Sequence, residues 1–444
     1  MPTLTRALCV ALLAVLGSTG CGGDKGPSDP DTTGTDGNGS LPDLTAPGPW
    51  TGPTGTIAYA RAGELHLIEP DGSNDRTIWT VPRTDLGYTV TAPAWRPDGG
   101  EIAFSSDHEA ATSVYERDLY AVRPDGSGLR KLTNAPLHAQ LGAYPAGSVT
   151  VTVTNLTSDG GPYFIYVAGA PEPQSVLIPS GESKTLTFDD VADFGAVRQQ
   201  AVAILGAMRW WDAAAADVGA GRTVDAGTLS ITQFGGLEHY GAQSPLWRAD
   251  GSRLGFFNTP TCLVGEVTAT PPLSNAYDLL LDPDVFPSPC VVDRAPIASI
   301  ANEMLVADDG EYSASGETSI YRTTEGSGAA GTPLVTIGDY VRVIDTRWLP
   351  DGSGFIVART GGLLDDAINL YEYAFGSATP RQITTFTDEY VRFFSISPDG
   401  ERIVFERVTS LDGPADLWVI GRDGSNPAPL VQNASYPAWN PQQR

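Results

Sequence analysis

One phrase recurs along the chain, and it limits the fold more than any other feature. A short apolar run, often ending in Trp, meets a Pro-Asp-Gly-like turn and continues into a second β-rich run. Residues 92–106 read APAWRPDGGEIAFSS, 244–258 SPLWRADGSRLGFFN, 345–359 DTRWLPDGSGFIVAR and 393–407 FFSISPDGERIVFER. A second phrase alternates with it: 64–79 ELHLIEPDGSNDRTIW, 118–133 DLYAVRPDGSGLRKLT and 416–431 DLWVIGRDGSNPAPLV. Weaker copies stand at 319–336 and 369–384. Asp-Gly between β-rich runs marks a tight hairpin, because both residues accept the backbone angles such turns need.

Each unit therefore contains four strands, a to d, with tight turns at a–b and c–d. The repeat period of roughly 40–50 residues matches a propeller blade. Six units fit, the fourth being a degenerate copy across 294–337 that lacks the turn signal. The first copy begins at Thr56 with strand b and no strand a. The last, Tyr436–Arg444 (YPAWNPQQR), is a strand a with no b. Joined, they complete one blade and close a ring without long open edges. The expected fold class is all-β: a six-bladed β-propeller with an inserted small β-sandwich.

The insert is expected at 136–236, between strand d of the second blade and strand a of the third. Its alternating runs (149–156, 163–167, 175–178, 184–188, 201–211) are separated by turn residues, which suits about seven short strands. It resembles immunoglobulin- or transthyretin-like modules. The stretch 196–216 could also be helical, but its β-rich run and Arg209-Trp210-Trp211 favour strand. The blades then occupy 55–135 and 237–444.

The two phrases resemble the TolB-like propeller repeat, also found in the propeller portions of some prolyl oligopeptidase-type peptidases. That resemblance implies six blades, an exported setting and a place in envelope organisation or a transport-associated complex. It implies no single activity, since propellers host many.

The N-terminus supports export. Arg6 precedes an apolar run, 7–17, too short to span a bilayer, and then small residues and Cys21. Residues 1–20 read as a signal peptide. The site resembles a bacterial lipobox, which implies lipid attachment at Cys21; secretion with a free Cys21 is the alternative. Gly22 after the cysteine, by the same resemblance, points away from inner-membrane retention. Residues 21–54, rich in Gly, Pro, Asp, Thr and Ser, form a flexible tether. The expected location is the periplasm or the outer membrane and cell surface. Cys262 and Cys290 remain as an even pair in an oxidising compartment and are expected to form a disulfide.

A net charge of −26 excludes a nucleic-acid partner and leaves the membrane to the N-terminal lipid. No metal-ligand spacing, nucleophile elbow, phosphate loop or dinucleotide fingerprint occurs, so no metal or cofactor is expected. Function is then expected at loops. The a–b and c–d turns share one face; the longer b–c and d–a connections share the other. The long excursions are placed at 107–117, 259–275, 307–318, 361–367 and 409–414. Aromatics precede strand a at Tyr88, Tyr240, Tyr340, Tyr390 and Tyr436, with Arg342 and Arg392 nearby. Tyr and Arg carry much of the energy of interfaces, so these residues are the candidate rim of the funnel. The same residues could instead wedge between blades and pair with acids. The leading reading is a non-catalytic, monomeric binding or scaffolding module for a protein, peptide or envelope polymer. The alternative is a hydrolase or lyase with its site in the central funnel.

Overall fold

The computed structural model describes residues 55–195, 199–205, 208–232, 239–260, 263–268, 278–279, 291–308, 317–327, 333–362, 366–377 and 379–442. Cys21, Cys262 and Cys290 lie outside them.

The repeat folds as its turns demand. In seven Asp-Gly turns the glycine takes φ between 69° and 88°, a region closed to most side chains. The aspartate of each accepts the backbone N–H two residues on, at 2.9–3.1 Å. Where that residue is Ser, its hydroxyl adds a second bond, as from Ser127 to Asp125 at 2.7 Å. These bonds hold Asp71, Asp125, Asp351 and Asp423 below the usual carboxylate range. Gly126 is doubly required: a Cβ there would lie 2.5 Å from the Ile78 carbonyl of the neighbouring blade.

The second phrase has its own lock. Asp118 or Asn369 opens strand c, and Thr133 or Thr384 follows strand d. Each threonine hydroxyl donates to the acid or amide and accepts the next backbone N–H of strand c.

Five blades have strand a at Val90–Trp95 (blade 2), His239–Trp247 (3), Val291–Arg294 (4), Val343–Trp348 (5) and Tyr390–Ile396 (6). Blade 1 is composite: Ile57–Arg61, Glu64–Ile68 and Arg76–Thr80 are completed by Ser435–Trp439, which pairs antiparallel with Ile57–Arg61. The six innermost strands contact one another in cyclic order. The chain is a six-bladed β-propeller.

A common bond fixes the register of all six. The N–H just after the tryptophan position bonds to the carbonyl at or just before the start of strand b, from Arg96, Arg248, Ala295, Leu349, Ser397 and Asn440. By this register Arg294 occupies the tryptophan position of blade 4. That corrects the expected start of this blade at 294: its strand a is Val291–Arg294, and Met304–Ala307 at the centre of strand b is buried. Blade 3 is corrected too. Strand b runs to Pro260 and pairs with strand c, Leu263–Thr268, so these parts of the expected excursion at 259–275 are strand. The element following Cys290 is strand a of blade 4, not strand d of blade 3. No Asp-Gly turn marks either place, which is why the repeat was misaligned there.

Each junction between innermost strands carries a hydrogen bond. The Trp95 indole donates to the Ala438 carbonyl (3.0 Å) and the Trp247 indole to the Ala94 carbonyl (3.0 Å). Arg294 donates from the equivalent position to the Leu246 carbonyl at 3.2 Å. Trp348 N–H donates to Asp293 (2.7 Å), Phe394 N–H to Asp345 (3.2 Å) and Trp439 N–H to the Ser395 hydroxyl (2.9 Å). At every junction, then, one donor of a blade is satisfied by an acceptor of its neighbour.

Between blades 2 and 3 run seven strands in two sheets. One orders as 174–178, 161–167, 199–205, 208–216; the other as 183–192, 146–155, 223–231. Val151, Val153, Ile165, Ile178, Phe188, Leu229 and Ile231 from both sheets share one buried cluster. The stretch 196–216 contributes two of the strands. Tyr115, from the b–c loop of blade 2, packs with Val202 and Ile204 and joins this unit to the ring.

Candidate functional site

The six innermost strands surround a central channel of about 280 Å³. Two rings of side chains line it. Three residues before the tryptophan position stand Tyr436, Ala92, Ser244, Val291, Asp345 and Phe393. One residue before it stand Ala438, Ala94, Leu246, Asp293, Arg347 and Ser395.

The channel has two unlike halves. In blades 1 to 3 the upper-ring residue has positive φ (Tyr436 57°, Ala92 48°, Ser244 47°) and is followed by Pro437, Pro93 or Pro245. The strand pairing slips there, so each is a bulge, where proline costs no ladder bond. The lining of this half carries no charge. The other half holds Asp293, Asp345 and Arg347. Arg347 lies 2.7 Å from Asp345 and 3.9 Å from Asp293, linking blades 4 and 5.

Burial dominates the chemistry of these acids. It raises Asp293 and pushes Asp345 up to about 7, with Arg347 opposing both shifts. Each carboxylate also accepts main-chain N–H groups: Trp348 on Asp293, Thr346 and Phe394 on Asp345. Their lone pairs therefore hold blade 4 to 5 and 5 to 6. Because Asp345 binds its proton more tightly folded than unfolded, its protonation favours the native state between about pH 4 and pH 7. That contribution is fully present below the unfolded value and is lost as pH rises to about 7. Asp345→Asn, read as Tm against wild type, should gain ground as pH rises from 4 to 7 and level off above. A difference independent of pH would show that Asp345 titrates normally.

The expected rim residues part company. Tyr436 alone of the described rim side chains lines the channel, stacked on Phe393 with ring centres 4.8 Å apart. Tyr88 and Tyr390 are half-buried and pack into the cores beneath blades 1–2 and 5–6. Arg392 is bound to buried Glu406 at 2.7 Å and to the Leu411 carbonyl at 2.8 Å. Tyr240 opens strand a of blade 3 with a side chain outside the described set. Tyr340 stands out: it is 56% exposed, has φ of 53° and lies in the d–a connection on the loop face. Arg342, two residues on, donates its N–H to the Thr360 hydroxyl and accepts the Thr360 N–H at its carbonyl, and its guanidinium has no partner among the described residues. Asp293, Asp345 and Arg347 were not singled out from sequence. Their signal was their offset from the tryptophan position, visible only once the six copies are in register.

Among the described residues no group of three or more His, Cys, Asp or Glu is placed to hold a metal. The buried Lys131 ion pairs with Asp118 (2.9 Å) and Glu109 (3.2 Å) root the insert, since Glu109 also accepts the His138 N–H.

No protein-family model matches the chain, and no curated protein does. Solved structures similar to it include TolB from Acinetobacter baumannii, at TM-score 0.47 and 15% identity over 87% of this chain and 67% of that one. A putative TolB from Agrobacterium tumefaciens gives 0.33 and 19% over 42% and 61%. A periplasmic gluconolactonase from Pseudomonas aeruginosa gives 0.38 and 13% over 87% and 98%.

Proposed function

We propose that this chain is an exported binding propeller, held in the bacterial envelope through Cys21 and its tether. It takes a protein, peptide or envelope polymer on the face formed by the b–c and d–a connections. The insert at 136–236 forms a second domain rooted on that face. The observation that supports this most directly is Tyr340. A large aromatic, over half exposed and held at positive φ beside an arginine without a described partner, is what an interface anchor requires. Seven connections of the opposite face are tight Asp-Gly turns whose aspartates accept bonds from their own turn. A photo-crosslinking residue at position 340 in the mature protein should capture a partner from envelope fractions, and one at position 125, on the turn face, should not. Capture from 125 alone would reverse the choice of face.

A funnel enzyme finds support in one feature, the near-neutral Asp345 within a cavity, which suits a general acid or base. Its carboxylate oxygens already accept hydrogen bonds from two N–H groups and Arg347, and that favours the binding reading.

A further inference from the structure

The insert has four sheet edges, and they are not alike. An open edge is a template for another strand, and proteins blunt it with charge, proline or a bulge. The edge strand Ser183–Ala192 carries Lys184, Asp189 and Asp190, with Asp190 at φ 56° and a slip in pairing between Phe188 and Val191. Thr223–Ile231 slips between Asp225 and Thr228, around Gly227 at φ 87°. Met208–Ala216 slips against its neighbour between Ala201 and Ala203. Gln174–Ile178 has no charge, proline or bulge within the strand itself. It reads QSVLI, without charge, and pairs in unbroken register on one side only among the described residues.

This edge is also held ready. The Gln174 side-chain amide donates to the Thr187 carbonyl at one end, and Asn155, fully buried, donates to the Ile178 carbonyl at 2.9 Å at the other. Its solvent face presents Leu177, 60% exposed, beside Phe164 on the paired strand, 46% exposed. That apolar strip continues the sheet face whose other end, at Val202 and Ile204, is already covered by the propeller loop. Pro173 and Pro179 bracket the strand and limit it to five residues.

We propose that the edge Gln174–Ile178 is a docking site for an extended segment of a partner protein, added as a further antiparallel or parallel strand. The occupant is a short segment with apolar side chains at alternate positions, on the face that Leu177 presents and Phe164 extends, and basic rather than acidic between them. The apolar requirement comes from the exposed strip, and the sign from Glu172 at the strand's entry and a net charge of −26. The site is separate from Tyr340 and Arg342 and goes beyond the reading above.

The test uses the full mature chain and a synthetic peptide alternating valine with lysine. The control peptide has the same composition with a central proline, and so the same charge without the strand. Binding is read by fluorescence anisotropy and located by hydrogen exchange. The alternating peptide should bind more tightly than the control and slow exchange at 174–178. Leu177→Lys, at an exposed position that leaves the fold intact, should weaken it about tenfold. Equal binding of both peptides, or protection elsewhere with none at 174–178, would overturn the proposal. So would a dimer in sedimentation that Leu177→Lys dissociates, since the edge would then belong to a second copy. Protection near 340–342 alone would overturn this site and leave the loop-face reading standing.

Discussion

A chain ending at Asn433 is expected to lose cooperative folding of the whole ring, not only of its last strand. The missing segment, Ser435–Trp439, supplies the innermost strand of blade 1. Without it Ile57, Ala58 and Tyr59, all fully buried, would line an open edge. Trp439 also packs with Val404 and Leu417 of blade 6, so the loss reaches two blades. It removes the N–H that Ser395 accepts and the carbonyl of Ala438 that the Trp95 indole needs. Two of the six junctions would fail together. The milder change Trp439→Ala keeps the main chain and should cost about 3–5 kcal/mol, the range for deleting a buried aromatic. Urea unfolding of both variants checks this. A truncated chain that unfolds in one transition with wild-type midpoint would mean that the closing strand contributes nothing.

The second large effect is expected at Arg392. Glu406 is fully buried, and burial raises its carboxyl while Arg392 opposes that shift. Its other oxygen accepts the Tyr436 N–H, so the pair ties strand b of blade 6 to the closing strand. Arg392→Ala leaves this carboxylate buried without its counter-charge, which typically costs about 3–5 kcal/mol. The remedy is to remove both charges: Arg392→Met with Glu406→Gln should recover most of the loss. The deficit of Arg392→Ala should also shrink as pH falls, because Glu406 without its partner takes up a proton more readily in the folded chain. Denaturation midpoints at two pH values read both effects. If Arg392 served recognition instead, its removal would leave stability unchanged and abolish partner capture.

The architecture was legible because its signal is chemical rather than statistical. An Asp-Gly turn needs a left-handed glycine and an aspartate that accepts the N–H two residues on, and the sequence states both seven times, five of them as Asp-Gly-Ser. The complementary ends follow from one strand count. Blades 3 and 4 were harder for a physical reason. In blades 2 and 3 the tryptophan indole donates to the preceding blade, and in blade 4 Arg294 makes the equivalent bond from the same position. The phrase therefore disappears from the sequence while the junction survives in the structure.

The site was less legible. Tyr88 and Tyr340 precede strand a, whereas Tyr240, Tyr390 and Tyr436 lie within it, and spacing alone does not say where such a side chain points. Tyr88 and Tyr390 turn into the cores, and Arg392 closes on Glu406. Tyr436 reaches the channel through a positive-φ bulge that no periodicity announces. The channel acids were missed because Asp293 and Asp345 sit within apolar strands, at different offsets from the tryptophan position.

The central claim is that the two ends of the chain share one blade. Ala58 and Ala438 are directly paired across that seam. Replacing both with cysteine and oxidising the folded protein should give a linked pair of peptides on mass mapping, formed as readily as a control pair at Ala103 and Ala121, partners within blade 2. A link at the control pair with none between 58 and 438 would mean that the ring is open.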